Sequence, residues 1–530
     1  MDPGEVEKAT VDQILNTIVD GMRADYPPEM TLAAVTAMCN SLDFTEANFE
    51  VQGERDAIMN SVCQAAQCPV VAVREKAFEC LATIAAFYYS KLPPYVTNLF
   101  QLTVNAIKTD VEEVGQQAIE FWSTVCDTET EYADDETCTS FNVIAQASPS
   151  LIPVILETLS KQSEDADEES WNIAKAGAAC LDAISQTIED AVVPHVLPFV
   201  TAGIQSSEWR VKESAIMAFG MILDGPDSKT LTPIVTGALP VLVQCLQDPS
   251  THVKDTCAWV IGRICEFHTS AITPAIFPHM VTALTLCLDD QSSGVASQAC
   301  FAVHNLAMAC EEQADDKTNV LSSFMPTMLQ KLLNVVNRED WDENNLRSTA
   351  YEAVNKMVEN SAEDMLQVVG QVLDESCTRL EKTFNDNMEQ QERMTLQANL
   401  CSLIGVCINK LPEENVKQYS DRIMQSVLMV FNTKGSVAHE DAFLAIGYLS
   451  GKLEEEFGSR YVQFLMPPLL LGMQNTEEYA VCLVAVGVAG DLCRALGKGI
   501  APYADEIMRC TLEILRSESV NRYVYNFVDM

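Results

Sequence analysis

The chain has 530 residues, 48% of them apolar and 7% aromatic, enough for a packed interior and incompatible with global disorder. A single core stops growing at roughly 250–300 residues, so several domains or a one-dimensional repeat array must organise this length. The formal net charge of −43, from 76 acidic against 33 basic residues, repels nucleic acid and anionic membrane and attracts basic partners at salt-dependent rates.

Helical patterns come in pairs from the start: 12–22 with 31–41, 54–63 with 71–88, and 95–107 with 111–126. After an acidic stretch read as a loop (129–136), pairs recur at 148–159 with 172–188, 193–204 with 210–223, and 231–246 with 253–266. The series continues at 276–288 with 295–309, 322–336 with 346–358, 365–384 with 389–408, 416–431 with 441–453, and 461–473 with 481–496, ending on a lone helix at 503–515. The longest apolar runs, near 465–473 and 480–490, carry prolines or glycines and fall short of the ~20 residues of a membrane span.

One register organises these pairs. On a helix Val253, Cys257, Ile261 and Ile264 form one apolar stripe, with Asp255, Trp259 and Glu266 on roughly the opposite face. The stripe returns 42 residues earlier (Val211, Ala215, Phe219, Ile222) and 42 later (Val295, Ala299, Val303, Leu306). It is also present at Val73, Ala77, Leu81, Ile84 and at Val114, Ala118, Trp122, Val125. First helices carry prolines (Pro198, Pro240, Pro278, Pro326, Pro467), which bend a helix from its interior. An aspartate such as Asp248 precedes the second helix, and a cation follows the stripe's first valine (Arg74, Lys212, Lys254). A period near 40 with a bent first helix predicts an all-α HEAT-repeat α-solenoid of about eleven pairs, continuous over 9–516, with a divergent tail at 517–530.

Nineteen cysteines without a secretory signal pattern fit a reducing compartment. They sit singly at helical core positions such as Cys257, Cys300 and Cys482; none is spaced C-x-x-C, and the six histidines show no metal spacing. No metal or cofactor is expected. A Walker loop, G-x-G-x-x-G and G-x-S-x-G are all missing from the sequence, so an enzyme is not expected either.

Chemistry concentrates instead at 163–170, where Glu164, Asp165, Asp167, Glu168 and Glu169 place five carboxylates in six residues between two helices. Like charges this dense form a solvated loop. Trp171 stands two residues ahead of the stripe Ile173, Gly177, Leu181, Ile184, as Trp209 stands ahead of Val211; Trp259 and Phe301 share another off-stripe register. Aromatic faces interleaved with carboxylates attract arginine and lysine. The competing reading is a HEAT scaffold of the phosphatase-regulatory type, which would not require such a file.

These residues resemble the importin-β family of karyopherins, over about 12–515. The likeness is carried by the runs 40–49 (NSLDFTEANF), 193–199 (VPHVLPF), 214–226 (SAIMAFGMILDGP), 257–266 (CAWVIGRICE), 345–354 (NLRSTAYEAV) and 481–496 (VCLVAVGVAGDLCRAL). The resemblance implies a monomeric transport receptor, cytoplasmic and nuclear, working at the nuclear envelope and pore. Its concave face would hold the basic importin-β-binding helix of importin-α, or basic cargo, on Asp165, Asp167, Glu168, Glu169, Trp171, Trp209, Asp255, Trp259 and Phe301. Phe301 stands where the family commonly has tryptophan, which implies weaker binding there. Phe-Gly nucleoporins would take the convex positions Leu15, Val19, Glu54, Ile58 and Tyr95, with Ala57 in place of a usual phenylalanine. Ran would touch the acidic loop through Glu164, Asp165, Asp167, Glu168 and Glu169, and in the family Ran-GTP releases cargo. Against the family pattern this chain reads as a central segment lacking N-terminal and C-terminal repeats, which implies weakened Ran regulation.

Overall fold

The computed structural model describes residues 8–23, 25–135, 137–162, 171–311 and 317–516. The chain divides into two compact units, 1–283 and 284–530. In the first, helices pair as α1 (Lys8–Gly21) with α2 (Pro28–Ser41), then a short α3 (Glu46–Glu50), α4 (Gln52–Ala65) with α5 (Val71–Tyr88), and α6 (Val96–Thr109) with α7 (Glu112–Asp134). Next come α8 (Val143–Leu159) with α9 (Ile173–Ile188), α10 (Val193–Gly203) with α11 (Trp209–Met221), and α12 (Ser228–Cys245) with α13 (Thr251–Phe267). Helix α14 (Phe277–Cys287) carries the division. The second unit holds α15 (Ser293–Glu311), α16 (Met325–Val335) with α17 (Leu346–Glu359), and α18 (Leu366–Thr383) with α19 (Gln390–Lys410). It continues with α20 (Glu413–Val430) and α21 (Ala438–Leu453), a short α22 (Glu455–Arg460), α23 (Val462–Met473) with α24 (Tyr479–Leu496), and α25 (Ala504–Ile514).

Second helices lie side by side: α2, α5, α7, α9, α11 and α13 in the first unit, and α15, α17, α19, α21 and α24 in the second. Their stripes make the interior. Val73, Ala77, Val114, Trp122, Val253, Cys257, Ile261, Ile264, Val295, Ala299 and Val303 are all fully buried. Each such large apolar side chain contributes about 1.5–3 kcal/mol by leaving water. Val211 departs from the register and is 39% exposed. Across the pair Gly203 lets α10 close on α11, since a Cβ there would lie 2.8 Å from Ala215 Cβ and 3.5 Å from Val211 Cγ1.

Three expectations change. The acidic stretch 129–136 is mostly not a loop, because α7 runs on to Asp134. Glu129 is buried and accepts hydrogen bonds from the amides of Val143 (2.5 Å) and Ile144 (3.3 Å) and from the Tyr89 hydroxyl. It thereby serves the free N–H groups opening α8, a role that rewards a negative charge. Pro198, Pro240 and Pro467 do sit inside helices, but Pro278 and Pro326 fall in the first turn, where no hydrogen bond is lost and no bend is required. By length and composition alone, the stretch Tyr479–Ile514 is long and apolar enough to cross a membrane. In the fold α24 packs on α21 and α23 through buried Val481, Cys482, Ala485, Val488 and Leu492, while Asp491 pairs with Arg494 on its outer side.

Adjacent repeats are tied at both ends of the second helices. At the N-terminal end, Arg74 of α5 grips Asp110, ahead of α7, with two bonds of 2.7 and 2.6 Å, while Asp110 also accepts from the Val111 amide (2.8 Å). Lys212 of α11 reaches Asp248, ahead of α13, at 2.6 Å. At the C-terminal end the last carbonyls of one second helix accept from the next. Tyr88 donates to Leu42, His268 Nε2 bonds Leu223 (2.7 Å), Asn360 donates to Ala307 (3.2 Å), Lys410 to Glu359 (2.8 Å) and Lys452 to Leu411 (3.0 Å). The charge-assisted bonds among these, made by Arg74, Lys212, Lys410 and Lys452, contribute about 1.5–3 kcal/mol each when partly buried. Asp110→Asn, which keeps the shape but removes the charge, should lower stability by about 1–3 kcal/mol. The check is a lower urea midpoint together with faster amide exchange at 68–74; exchange and midpoint equal to wild type would contradict the tie.

Candidate functional site

The off-stripe aromatics of the first unit lie outside the stack's interior. Trp171, two residues before α9, is 60% exposed. Trp209 opens α11 and is half-buried, its ring stacked on His252 of α13 at 4.5 Å between centroids and 16° between planes. Trp259, half-buried, follows His252 by seven residues on the same helix. Seven residues are two turns, so Trp209's ring and Trp259 share one face of α13, about 10 Å apart along its axis. Trp259 can lie flat there because α11 presents Gly220: a Cβ at that position would meet Trp259 Cη2 at 3.2 Å and Val260 Cγ2 at 2.7 Å.

The indoles are not empty platforms. Arg210 holds its guanidinium carbon 4.5 Å from the centroid of Trp209, and its Nε donates to the Gln162 carbonyl (3.2 Å). Arg263 sits 5.4 Å over Trp259 and donates from Nη1 to Asp182 of α9 (2.9 Å). Sequence reasoning missed both cations, and also His252, Asp182 and Gly220. The available signal was spacing, since Arg263 lies one helical turn beyond Trp259 on the same face.

Glu213 on α11 is buried beneath this wall. It accepts from Thr256 of α13 (2.8 Å) and from the Gln162 amide, at the point where the acidic segment leaves α8. Residues 163–170, with the predicted Glu164, Asp165, Asp167, Glu168 and Glu169, lie outside the described residues. Beyond them Asn172 caps α9 by accepting from the Lys175 amide (3.0 Å), and the Ile173 amide donates to Glu112 (2.8 Å). Asp255 is half-buried near Glu213. Phe301 is half-buried on α15 in the second unit.

On the other helix row, Leu15 and Ile58 are interior side chains, 5% and 2% exposed. Val19 is half-buried. Glu54 accepts from Asn48 (2.8 Å), and the half-buried Tyr95 donates to Asp56 while accepting from Arg55 Nε (3.3 Å). Ala57 and Ile14 are exposed nearby. Among the five nucleoporin candidates, only Val19 and the Tyr95 ring therefore offer apolar surface directly.

Burial pushes the Glu213 carboxyl from its ordinary 4.5 up to about 8, with Asp255 adding to the effect. With the folded value raised, the associated stability is full below about 4.5 and is lost as pH rises through about 8. Thermal unfolding followed by circular dichroism should show wild type losing more stability than Glu213→Gln between about pH 5 and pH 9. Gly220→Ala should cost about 1–3 kcal/mol through overpacking and should shift tryptophan emission as Trp259 is displaced; an unchanged spectrum would show that the indole does not rest on Gly220.

A family model described as importin subunit beta-1-like TPR repeats matches residues 279–528, and a HEAT-like repeat model matches 209–264. The first match runs through most of 517–530, set apart above as a divergent tail and outside the described residues. Importin subunit beta-1 of Arabidopsis thaliana is 41% identical over 98% of this chain, and that of Schizosaccharomyces pombe 37% over 98%. A crystal structure of importin beta superposes with a TM-score of 0.89 at 32% identity, covering 96% of this chain and 61% of that one. Yeast importin-beta (Kap95p) gives 0.90 at 28% identity, covering 97% and 61%. Paired helices packed as a solenoid, the HEAT-like match and identity along nearly the whole chain make this protein a homologue of importin subunit beta-1, spanning 62% of the length of the curated relatives it matches.

Proposed function

We propose that the chain acts as a nuclear transport receptor of the importin-β type, with no catalytic activity, moving between cytoplasm and nucleus. Its ligand is the basic importin-β-binding helix of importin-α or a similarly basic cargo segment, held on Trp171, Trp209, Asp255, Trp259 and the acidic loop. The observation that carries this reading is that indoles outside the stripes recur on or just before neighbouring second helices, with carboxylates nearby, in a chain of net charge −43. Such a surface suits arginine and lysine, whose heads bond carboxylates while their flat or alkyl parts lie on rings.

Two further contacts complete the reading. Kap95, 29% identical to this chain, has been solved in complex with Nup1, and Kap95p binding is reported to switch the loops of RanGDP to the GTP-bound conformation. By analogy, Phe-Gly nucleoporins would dock on the first-helix row near Val19 and Tyr95, and Ran would reach the acidic loop. The chain spans 62% of its curated relatives, so these contacts and the Ran-driven release of cargo are inferred from the longer proteins.

Exposed ion pairs contribute about 0.2–1 kcal/mol each and cation–π contacts about 0.5–2. Micromolar binding needs about 8 kcal/mol, so many contacts along an extended ligand are required. A synthetic basic segment of importin-α, titrated calorimetrically, should bind roughly tenfold more weakly to Trp171→Ala, whose ring is exposed, and progressively more weakly with salt. Affinity indifferent to both would remove the proposal.

A further inference from the structure

The cation beside Trp259 occupies a place that an incoming ligand would want. Trp259, Arg263 and Phe267 are spaced four apart on α13, so their side chains form one row on one face. The Arg263 guanidinium carbon lies 5.4 Å from the Trp259 centroid and 5.2 Å from that of Phe267. Its Nη1 reaches Asp182 at 2.9 Å, a residue 81 positions earlier and two second helices away. Helix α11 lies between, and at Gly220 it carries no side chain to interfere. Asp182 is bonded on its other oxygen by Gln186 Nε2 (3.0 Å), which also reaches Asp224 (3.4 Å). The Asp182 carboxylate and two aromatic rings thus surround one guanidinium whose side chain is only 13% exposed.

We propose that Trp259, Phe267 and Asp182 form a guanidinium-binding subsite for an arginine of the basic ligand, and that Arg263 is its built-in occupant, displaced when the ligand binds. This deepens the transport reading and rests on it, since it presumes that the wall takes a basic segment. The ligand's arginine replaces a group of identical chemistry, so the exchange gains little at this one position. Arg263 therefore lowers affinity below what the cage could deliver, which favours release of a ligand held at many other points. It also selects arginine over lysine, because an ammonium gives up the planar stacking that the resident makes on both rings.

Arg263→Gln empties the cage while leaving a polar side chain. In the full 530-residue chain it should raise affinity for a synthetic arginine-rich segment roughly tenfold, the equivalent of one desolvated cation–π and ion-pair contact. Lys229→Gln, exposed on α12 and away from the wall, removes the same charge and should change affinity less than about twofold. Arg263→Lys should fall between wild type and Arg263→Gln, and a peptide with lysine for every arginine should gain less from Arg263→Gln. Circular dichroism establishes that each variant is folded. Equal affinity of wild type and folded Arg263→Gln, weaker binding by that variant, or an equal gain from Lys229→Gln would overturn the displaced-arginine mechanism. Failure of the peptide to bind wild type and every variant would instead overturn the underlying transport reading.

Discussion

The stack depends on a cation in the first turn of one second helix meeting an aspartate in the turn before the next. Arg74 with Asp110 and Lys212 with Asp248 are each 36 residues apart, and each aspartate also accepts a backbone amide of its own turn. The carboxylate therefore fixes two things together, the local turn and the lateral position of the neighbouring repeat. The Arg74 guanidinium holds the Asp110 carboxyl below its ordinary range, as a pair this sheltered requires. Apolar stripes are adhesive but indifferent to sliding; the polar contacts are directional and set the register in which the stripes meet.

That register determines what the outer face of the second helices can display. With α11 and α13 held close at Gly220, an indole on α13 lies over its neighbour rather than standing in solvent. A guanidinium one turn on can then span to α9. The surface of this acidic chain is consequently organised into local neutral units, acid with base and base with ring, within a strongly negative field. The long-range field draws a cationic partner in, while the local pairing decides what contact is worth once it arrives.

Much of this was legible in the amino-acid order. Three-and-four spacing located the second helices, and fully buried Val73, Val114, Val253 and Val295 lie where that spacing puts them. Trp259 was recognisable as off the stripe from its angle alone. The misplacements share a cause, namely dependence on partners distant in the chain. Glu129 looked like part of a solvated charge run because its hydrogen-bond donors open the next helix, and Val211 looked buried because a stripe marks a helix face, not how far the neighbouring helix covers it. Arg263 and Asp182 are separated by 81 positions, so no local pattern joins them, and only the close approach of helices brings the pair together. Pro278 and Pro326 were read as bends because proline type alone does not distinguish a first turn from an interior one.

Near the ends of α2, α11, α15, α17 and α19 a backbone carbonyl accepts from a side chain in, or one residue beyond, the second helix that follows. Between 41 and 53 residues separate donor from acceptor. During synthesis from the N-terminus, each of these five helices therefore leaves the ribosome with one closing bond still unmade, and acquires it only when the following pair has emerged. At these junctions maturation runs as a relay one unit behind elongation, so that a ribosome stalled there leaves the preceding repeat short of its last bond.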